Sequence, residues 1–240
     1  MQVFFSTVVR GAPMEHAGEL IMLDWATKKI QARVPIFPTD PPVDDQNTRG
    51  GGRGGRGIAL LRDELFVASY HTLHGFDYRL KPTRTITHPN FAGLHEIKLV
   101  EDGIWTSSTA LGQVQKIDFT GKTLAEWWAH DDPVVQKEFQ PEPITIDKTA
   151  DNRTAYLNNF SKVHLNNVEI ADGRIYVCFN HHGAVLRLFP TEIISRDPSL
   201  KGCHNGVVAG DEFLINDSHN HTVVVLDLAT GKVKRRINLI

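Results

Sequence analysis

Histidine is the side chain in this sequence with the most chemistry to offer. Twelve of the 240 residues are histidine, about twice the usual share. Neutral imidazole ligates Fe, Zn, Cu or Mn, and its ordinary pKa lies close enough to neutrality for acid or base work. The twelve are spread from His16 to His221, and no fixed-spacing motif such as HExxH holds two of them together. The second candidate is the run RGGGRGGRG at residues 49–57. Guanidinium groups beside open backbone N–H groups make a seat for carboxylate, phosphate or sulfate. It is not a Walker loop, because no Gly-Lys-Ser/Thr follows. The competing readings are a flexible linker and an RGG-type nucleic-acid segment. No aromatic residues interleave the run, and 26 Lys and Arg against 28 Asp and Glu leave a net charge of −2. That balance argues against general attraction to nucleic acid or to an acidic membrane.

Residues so dispersed act together only if the fold gathers them, and the sequence holds a repeat that would. Residues 23–34 (LDWATKKIQARV) match residues 226–237 (LDLATGKVKRRI), with shorter copies at 117–124 (IDFTGKTL) and 75–80 (GFDYRL). Each reads as strand, tight polar turn, strand. A second unit precedes these at 58–69 (IALLRDELFVAS), 97–108 (IKLVEDGIWTSS), 168–179 (VEIADGRIYVCF) and 207–217 (VVAGDEFLIND). Period-two alternation broken by Asp and Gly is hairpin chemistry. Four short strands in about 40 residues make a propeller blade. The reading is an all-β protein, a β-propeller of five four-stranded blades forming one domain over residues 1–240. The first copy, beginning near Val3, lacks its innermost strand. A meandering β-sandwich is the alternative. No apolar run is long enough for a membrane helix. The N-terminal MQVFFSTVVRG has no basic segment of a signal peptide, so a cytoplasmic protein is expected. Cys178 and Cys203 are too few for a disulfide framework, and Cys203 reads as a small buried residue.

Strand direction then assigns faces. The start of a first strand, the second-to-third loop and the exit of a fourth strand share one face of a propeller. His95, His164 and His204 stand at the starts of first strands in blades three, four and five. His71, His181 and His219 follow second strands. The other six fall in the same classes of loop, while the opposite turns, such as RDE, EDG and TGK, hold none. First-strand starts point at the central axis. His95, His164 and His204 are therefore expected to hold a divalent metal (Fe, Zn, Cu or Mn), with His71, His181 and His219 as catalytic acids or bases. Glu96, Asn166, Asn167 and Asn205 would add hydrogen bonds or oxygen ligands, and Arg53 and Arg56 would hold an anion. Counting from the turns sets Asn166 level with His95 and His204, which leaves His164 nearer the rim. The plainer alternative is a wet channel lined by hydrogen-bonded histidines. Two long loops, 35–57 and 130–162, lie on the same face.

The elements VVRG (8–11), RGGRGIAL (53–60), HPNFAGLHEI (88–97), WTSST (105–109) and HLNNV (164–168), in that order, resemble a family of bacterial β-propeller proteins with little or no assigned activity. The resemblance spans nearly the whole chain. It implies the propeller and supports Arg56, His95, His164 and His204 as site residues, but carries no reaction. In architecture alone the chain is similar to propellers with axial metals, namely histidine-ligated iron oxygenases and calcium lactonases. Blade two here presents Arg56 in place of a further histidine, and the face has few of the carboxylates that lactonases use. The functional expectation is a His- and Arg-lined axial pocket for a small anionic molecule, with metal-assisted oxidation or hydrolysis. The alternative is a non-catalytic interaction scaffold that grips a partner with the same face and the two long loops. Oligomeric state is left open by the sequence.

Overall fold

The computed structural model describes residues 1–38, 40–41, 54–154, 163–200 and 202–240. Its strands form five antiparallel sheets, each built from consecutive strands, and the molecule is a five-bladed β-propeller. Blade one contains β1 (Gln2–Ser6), β2 (Glu19–Asp24) and β3 (Lys29–Pro35). Blade two contains β4 (Ile58–Leu61), β5 (Glu64–Ala68), β6 (Thr72–Asp77) and β7 (Pro82–Thr87). Blade three contains β8 (Leu94–Val100), β9 (Gly103–Ser108), β10 (Gln113–Ile117) and β11 (Thr123–Trp128). Blade four contains β12 (Glu169–Ala171), β13 (Arg174–Phe179), β14 (Ala184–Leu188) and β15 (Glu192–Arg196). Blade five contains β16 (Cys203–Ala209), β17 (Glu212–Asp217), β18 (Thr222–Asp227) and β19 (Val233–Asn238). Blade one is three-stranded, as its missing first strand required. Residues 54–57 run through part of the vacant place: Gly55 N–H donates to Thr7 O at 3.0 Å, and Gly57 N–H to His95 O at 2.7 Å.

The repeated LD and ID dipeptides are turn chemistry. At the end of each of four third strands an aspartate folds back onto the following turn. Asp24 accepts from Ala26 N–H at 2.9 Å, and Asp77 from Arg79 and Lys81 N–H at 2.8 Å each. Asp118 accepts from Thr120 N–H at 2.8 Å and Asp227 from Thr230 N–H at 2.8 Å. The side chain mimics a backbone turn and ties the third strand to the fourth.

Each sheet has two faces, and apolar residues on both fill the seams between blades. Leu20, Met22, Leu65, Val67 and Phe76 fill the seam of blades one and two. Phe66, Leu73, Ile97 and Ile104 fill the next. Trp105, Trp127, Val177 and Phe179 lie between blades three and four, and Tyr176, Cys178, Phe213 and Ile215 between four and five. Each fully buried Leu, Ile or Phe contributes about 2 kcal/mol by leaving water. Cys178 and Cys203 are free thiols of this last seam; burial pushes Cys203 up to about 12, so it packs as the sequence suggests rather than reacts.

The long loop after blade three is built structure over its described part. Helix α1 (Pro133–Phe139) is capped by Asp132, which accepts from Val134 and Val135 N–H at 2.9 and 3.0 Å. Val135 and Phe139 join the seam of blades three and four. Residues 39, 42–53, 155–162 and 201, Arg53 among them, lie outside the described residues. Among those described, no helix is long and apolar enough to cross a membrane.

The turn aspartates make a checkable contribution. Hydrogen bonds from Thr120 hold Asp118 below its ordinary value of 3.8, so its stabilisation is complete above about pH 4 and disappears as acid protonates it. Asp118→Ala is expected to lower the unfolding midpoint at pH 7 and to match the parent at strongly acid pH, as followed by circular dichroism.

Candidate functional site

Three inner strands share one irregularity, and it builds the site. In β8 the register with β9 slips between Leu94 and Ile97. In β16 it slips between His204 and Val207. Before β12, Leu165 and Glu169 are four positions apart while their partners Phe179 and Tyr176 are three positions apart. Each inner strand thus carries one extra residue, at His95-Glu96, Asn166-Asn167 and Asn205-Gly206. A bulge breaks the alternation and re-aims consecutive side chains. Asn205 takes the left-handed φ of 52° there.

The bulges bring residues from separate blades together. The rings of His95 and His204 lie 5.4 Å apart. Glu96 Oε1 is 3.8 Å from His95 Nδ1 and accepts from Asn205 Nδ2 at 2.5 Å. Asn166 Nδ2 donates to Cys203 O at 2.8 Å, and Asn167 Oδ1 accepts from Gly206 N–H at 2.9 Å. These two asparagines latch blade four to blade five. Arg56 enters from blade two, its backbone N–H bonded to Ala68 O at 2.7 Å. Gly57 beside it is obligatory: a Cβ there would lie 2.9 Å from His95 O and 2.8 Å from Ile97 N.

The electrostatics follow from burial. Glu96 is pushed up to about 7, chiefly because its carboxylate loses water, against the pull of Lys98, Arg56 and His204. His204 is held below its usual range, first by burial and also by the Arg56 charge. Its Nδ1 lies 2.6 Å from Gly202 O; a carbonyl oxygen only accepts, so that nitrogen carries the proton and Nε2 keeps the lone pair, 3.5 Å from Asn180 Nδ2. Near neutral pH the pair therefore comprises an acid that is partly protonated and an imidazole that is mostly neutral.

The expected three-imidazole metal set does not assemble. His164 has a left-handed φ of 43°, and its ring stacks on His181 at 4.7 Å. Among the described residues no three His, Cys, Asp or Glu side chains gather as metal ligands. His71 is fully buried, and its ring nitrogens bond away from the axis cluster, Nε2 to Pro41 O at 2.6 Å and Nδ1 to the Thr72 hydroxyl at 3.0 Å. His181 is exposed. His219 does approach the site, since its charge would lower the proton affinity of His204.

Sequence reasoning missed Lys98 and Glu169. Lys98 Nζ lies 2.6 Å from Glu169 Oε2, with the carboxylate almost fully buried. They occupy equivalent positions on successive inner strands, opposite Trp105 and Tyr176; Ala59 and Val208 stand opposite Phe66 and Phe213 in the same way. That alignment was visible in the repeat, as opposite charges at one register on neighbouring blades. A groove lies away from the histidines. It measures about 750 Å³ and is lined by Arg62, Asp63, Glu64, Phe66, Arg84 and Phe119, residues of blades two and three and their turns on the opposite face.

Comparison with known proteins confirms the architecture and goes no further. No family model matches the chain, and no curated protein matches it by sequence. Solved structures do. A protein of unknown function from Bacteroides caccae superposes with a TM-score of 0.63 at 10% identity, covering 99% of this chain and 73% of that one. The WD40 domain of Neurospora crassa Pan2 gives 0.60 at 11%, covering 98% and 61%. Virginiamycin B lyase from Staphylococcus aureus gives 0.56 at 10%, covering 99% and 74%. At such identities the likeness is one of fold.

The buried carboxyl can be tested by stability. Glu96 would ionise near 4.5 when unfolded but near 7 when folded, so the native state is penalised increasingly across that interval. Glu96→Gln keeps the acceptor for Asn205 and removes the charge. Its stability gain over the parent, measured by chemical denaturation, should be small at pH 4.5 and reach its full size above pH 7. A gain that does not vary with pH would mean that the carboxyl is not desolvated. Gly57→Ala should lower stability and, in the same variant, move the histidine resonances of His95 and His204.

Proposed function

We propose that the axial pocket binds a small anion, a carboxylate, phosphate or sulfate, on Arg56, and that Glu96 and His204 move a proton to or from it. The supporting observation is that Arg56 lies close enough to Glu96 and His204 to shift the proton affinity of both. A permanent cation beside a carboxyl poised near neutrality suits an anionic ligand, and an imidazole whose Nε2 keeps its lone pair can accept its proton. His95 fixes one wall of the pocket. His95 and His204 also offer two imidazole donors to a divalent ion, and elemental analysis of untagged protein beside His95→Ala would reveal one. The acid–base reading is independent of it.

Ionised Glu96 repels an anion, so affinity should fall as pH rises through about 7. Calorimetry with phosphate, sulfate and short carboxylates should show that fall in the parent. Glu96→Gln should flatten it, and Arg56→Ala should weaken binding at least tenfold, about 1.4 kcal/mol. Unchanged affinity in Arg56→Ala would refute the proposal.

A further inference from the structure

The long loop after blade three covers a second polar site. Its described part reaches residue 154. Ile146 packs on a cluster of Tyr70, Ala92, Ala110, Leu111 and Trp128, and the Lys148 ammonium lies 5.0 Å from the centre of the Trp128 ring. Two asparagines fasten the loop to the connection between blades two and three. Asn90 Nδ2 donates to Lys148 O at 3.0 Å, Asn152 N–H to Pro89 O at 2.7 Å, and Asn152 Nδ2 to Asn90 Oδ1 at 2.8 Å.

Beneath this loop the sheet of blade three ends in polar side chains. Ser108, Gln113 and Trp128 form one cross-strand row. The Ser108 hydroxyl donates to Asn90 O at 3.1 Å. Gln113 is fully buried, and neither its amide oxygen nor its amide nitrogen has a hydrogen-bond partner among the described residues. The indole N–H of buried Trp128 and the hydroxyl of buried Thr109 are unpartnered in the same sense. So are both ring nitrogens of His130, which are shielded from solvent. Thr109 follows β9 directly, and His130 lies two residues past Trp128. A single unpartnered buried polar atom costs roughly fivefold or more in the folding equilibrium. Six at one end of one sheet would take a large part of the margin by which a domain stays folded.

We propose that Gln113, Trp128, Thr109 and His130 form a binding site for a small uncharged molecule that both donates and accepts hydrogen bonds. Residues 146–152 are its cover. The side chains set the ligand's chemistry. Gln113 needs an acceptor and a donor, Trp128 an acceptor only, and Thr109 can use either. Hydroxyl and amide groups supply both. No ionised side chain bonds to these groups among the described residues, and the Lys148 ammonium above Trp128 is paired with Asp131. A charged ligand would therefore lose its water without gaining a counter-ion. Ordered water and small alcohols or amides share the required chemistry, and the test separates them. The site is independent of the anion pocket on the axis.

Chemical denaturation of Gln113→Met on the full chain is the first test. The thioether fills much of the amide's volume but makes no strong hydrogen bond. Loss of a bound molecule should lower the folding equilibrium constant at least about fivefold. A variant more stable than the parent would show an amide that has nothing to bind, and overturns the proposal. The Trp128 indole proton, assigned with Trp128→Phe, gives a second reading in the parent whether or not Gln113→Met folds. It should show a nuclear Overhauser cross-peak to a long-lived water, or shift saturably with acetamide or glycerol. The cross-peak alone assigns the site to water, and a saturable shift assigns it to small amides or alcohols. Acetate and methylammonium should leave the resonance in place. Absence of both signals, or an equal response to the charged probes, overturns the proposal.

Discussion

The structure depends on burying both faces of every sheet. A four-stranded blade with apolar side chains on each face cannot stand alone in water, and the only neighbours of suitable shape are other blades. Packing twisted sheets face to face around a hub brings the starts of their inner strands to the axis. Arg56, Glu96 and His204 are separated by as much as 148 positions in the chain, yet they form one electrostatic cluster. Remove the seam of blades two and three, where Phe66 meets Ile97 and Ile104, and Arg56 has no reason to face Glu96.

Within that frame the axis is a place where polar groups are held at some energetic cost. Burial outweighs two neighbouring cations in raising Glu96, which is the ordering expected when a carboxylate loses water before it gains full contact with a partner. Glu169 meets the same problem differently, with Lys98 Nζ at 2.6 Å. One carboxylate is therefore paired across blades and the other is left with a labile proton. The apolar seams, which contribute far more, make both arrangements affordable.

Much of the fold was legible in the residues themselves. The repeated Asp at four of the five third strands announced a turn whose hydrogen bonds the structure shows at Asp24, Asp77, Asp118 and Asp227. The missing first strand of blade one followed from where VFFSTVV falls in the repeat. The site was legible in part. His95, His204, Glu96 and Arg56 come together as strand direction implied, and Asn166 is level with the two histidines. His164 does not join them, because a left-handed backbone turns its ring onto His181. His71 bonds Pro41 and Thr72. Neither outcome leaves a trace in residue spacing, since both are set by loop backbone and by contacts some 30 positions away.

The sequence by itself determined the blade count, the incomplete first blade and the turn chemistry. Those properties repeat along the chain and depend on strand period, turn residues and direction, all local. Only the tertiary structure decided which imidazoles meet, that Lys98 pairs with Glu169, and that burial raises the proton affinity of Glu96. Those outcomes turn on a one-residue bulge in three inner strands and on the water excluded between blades, quantities of distance and burial that no single strand contains.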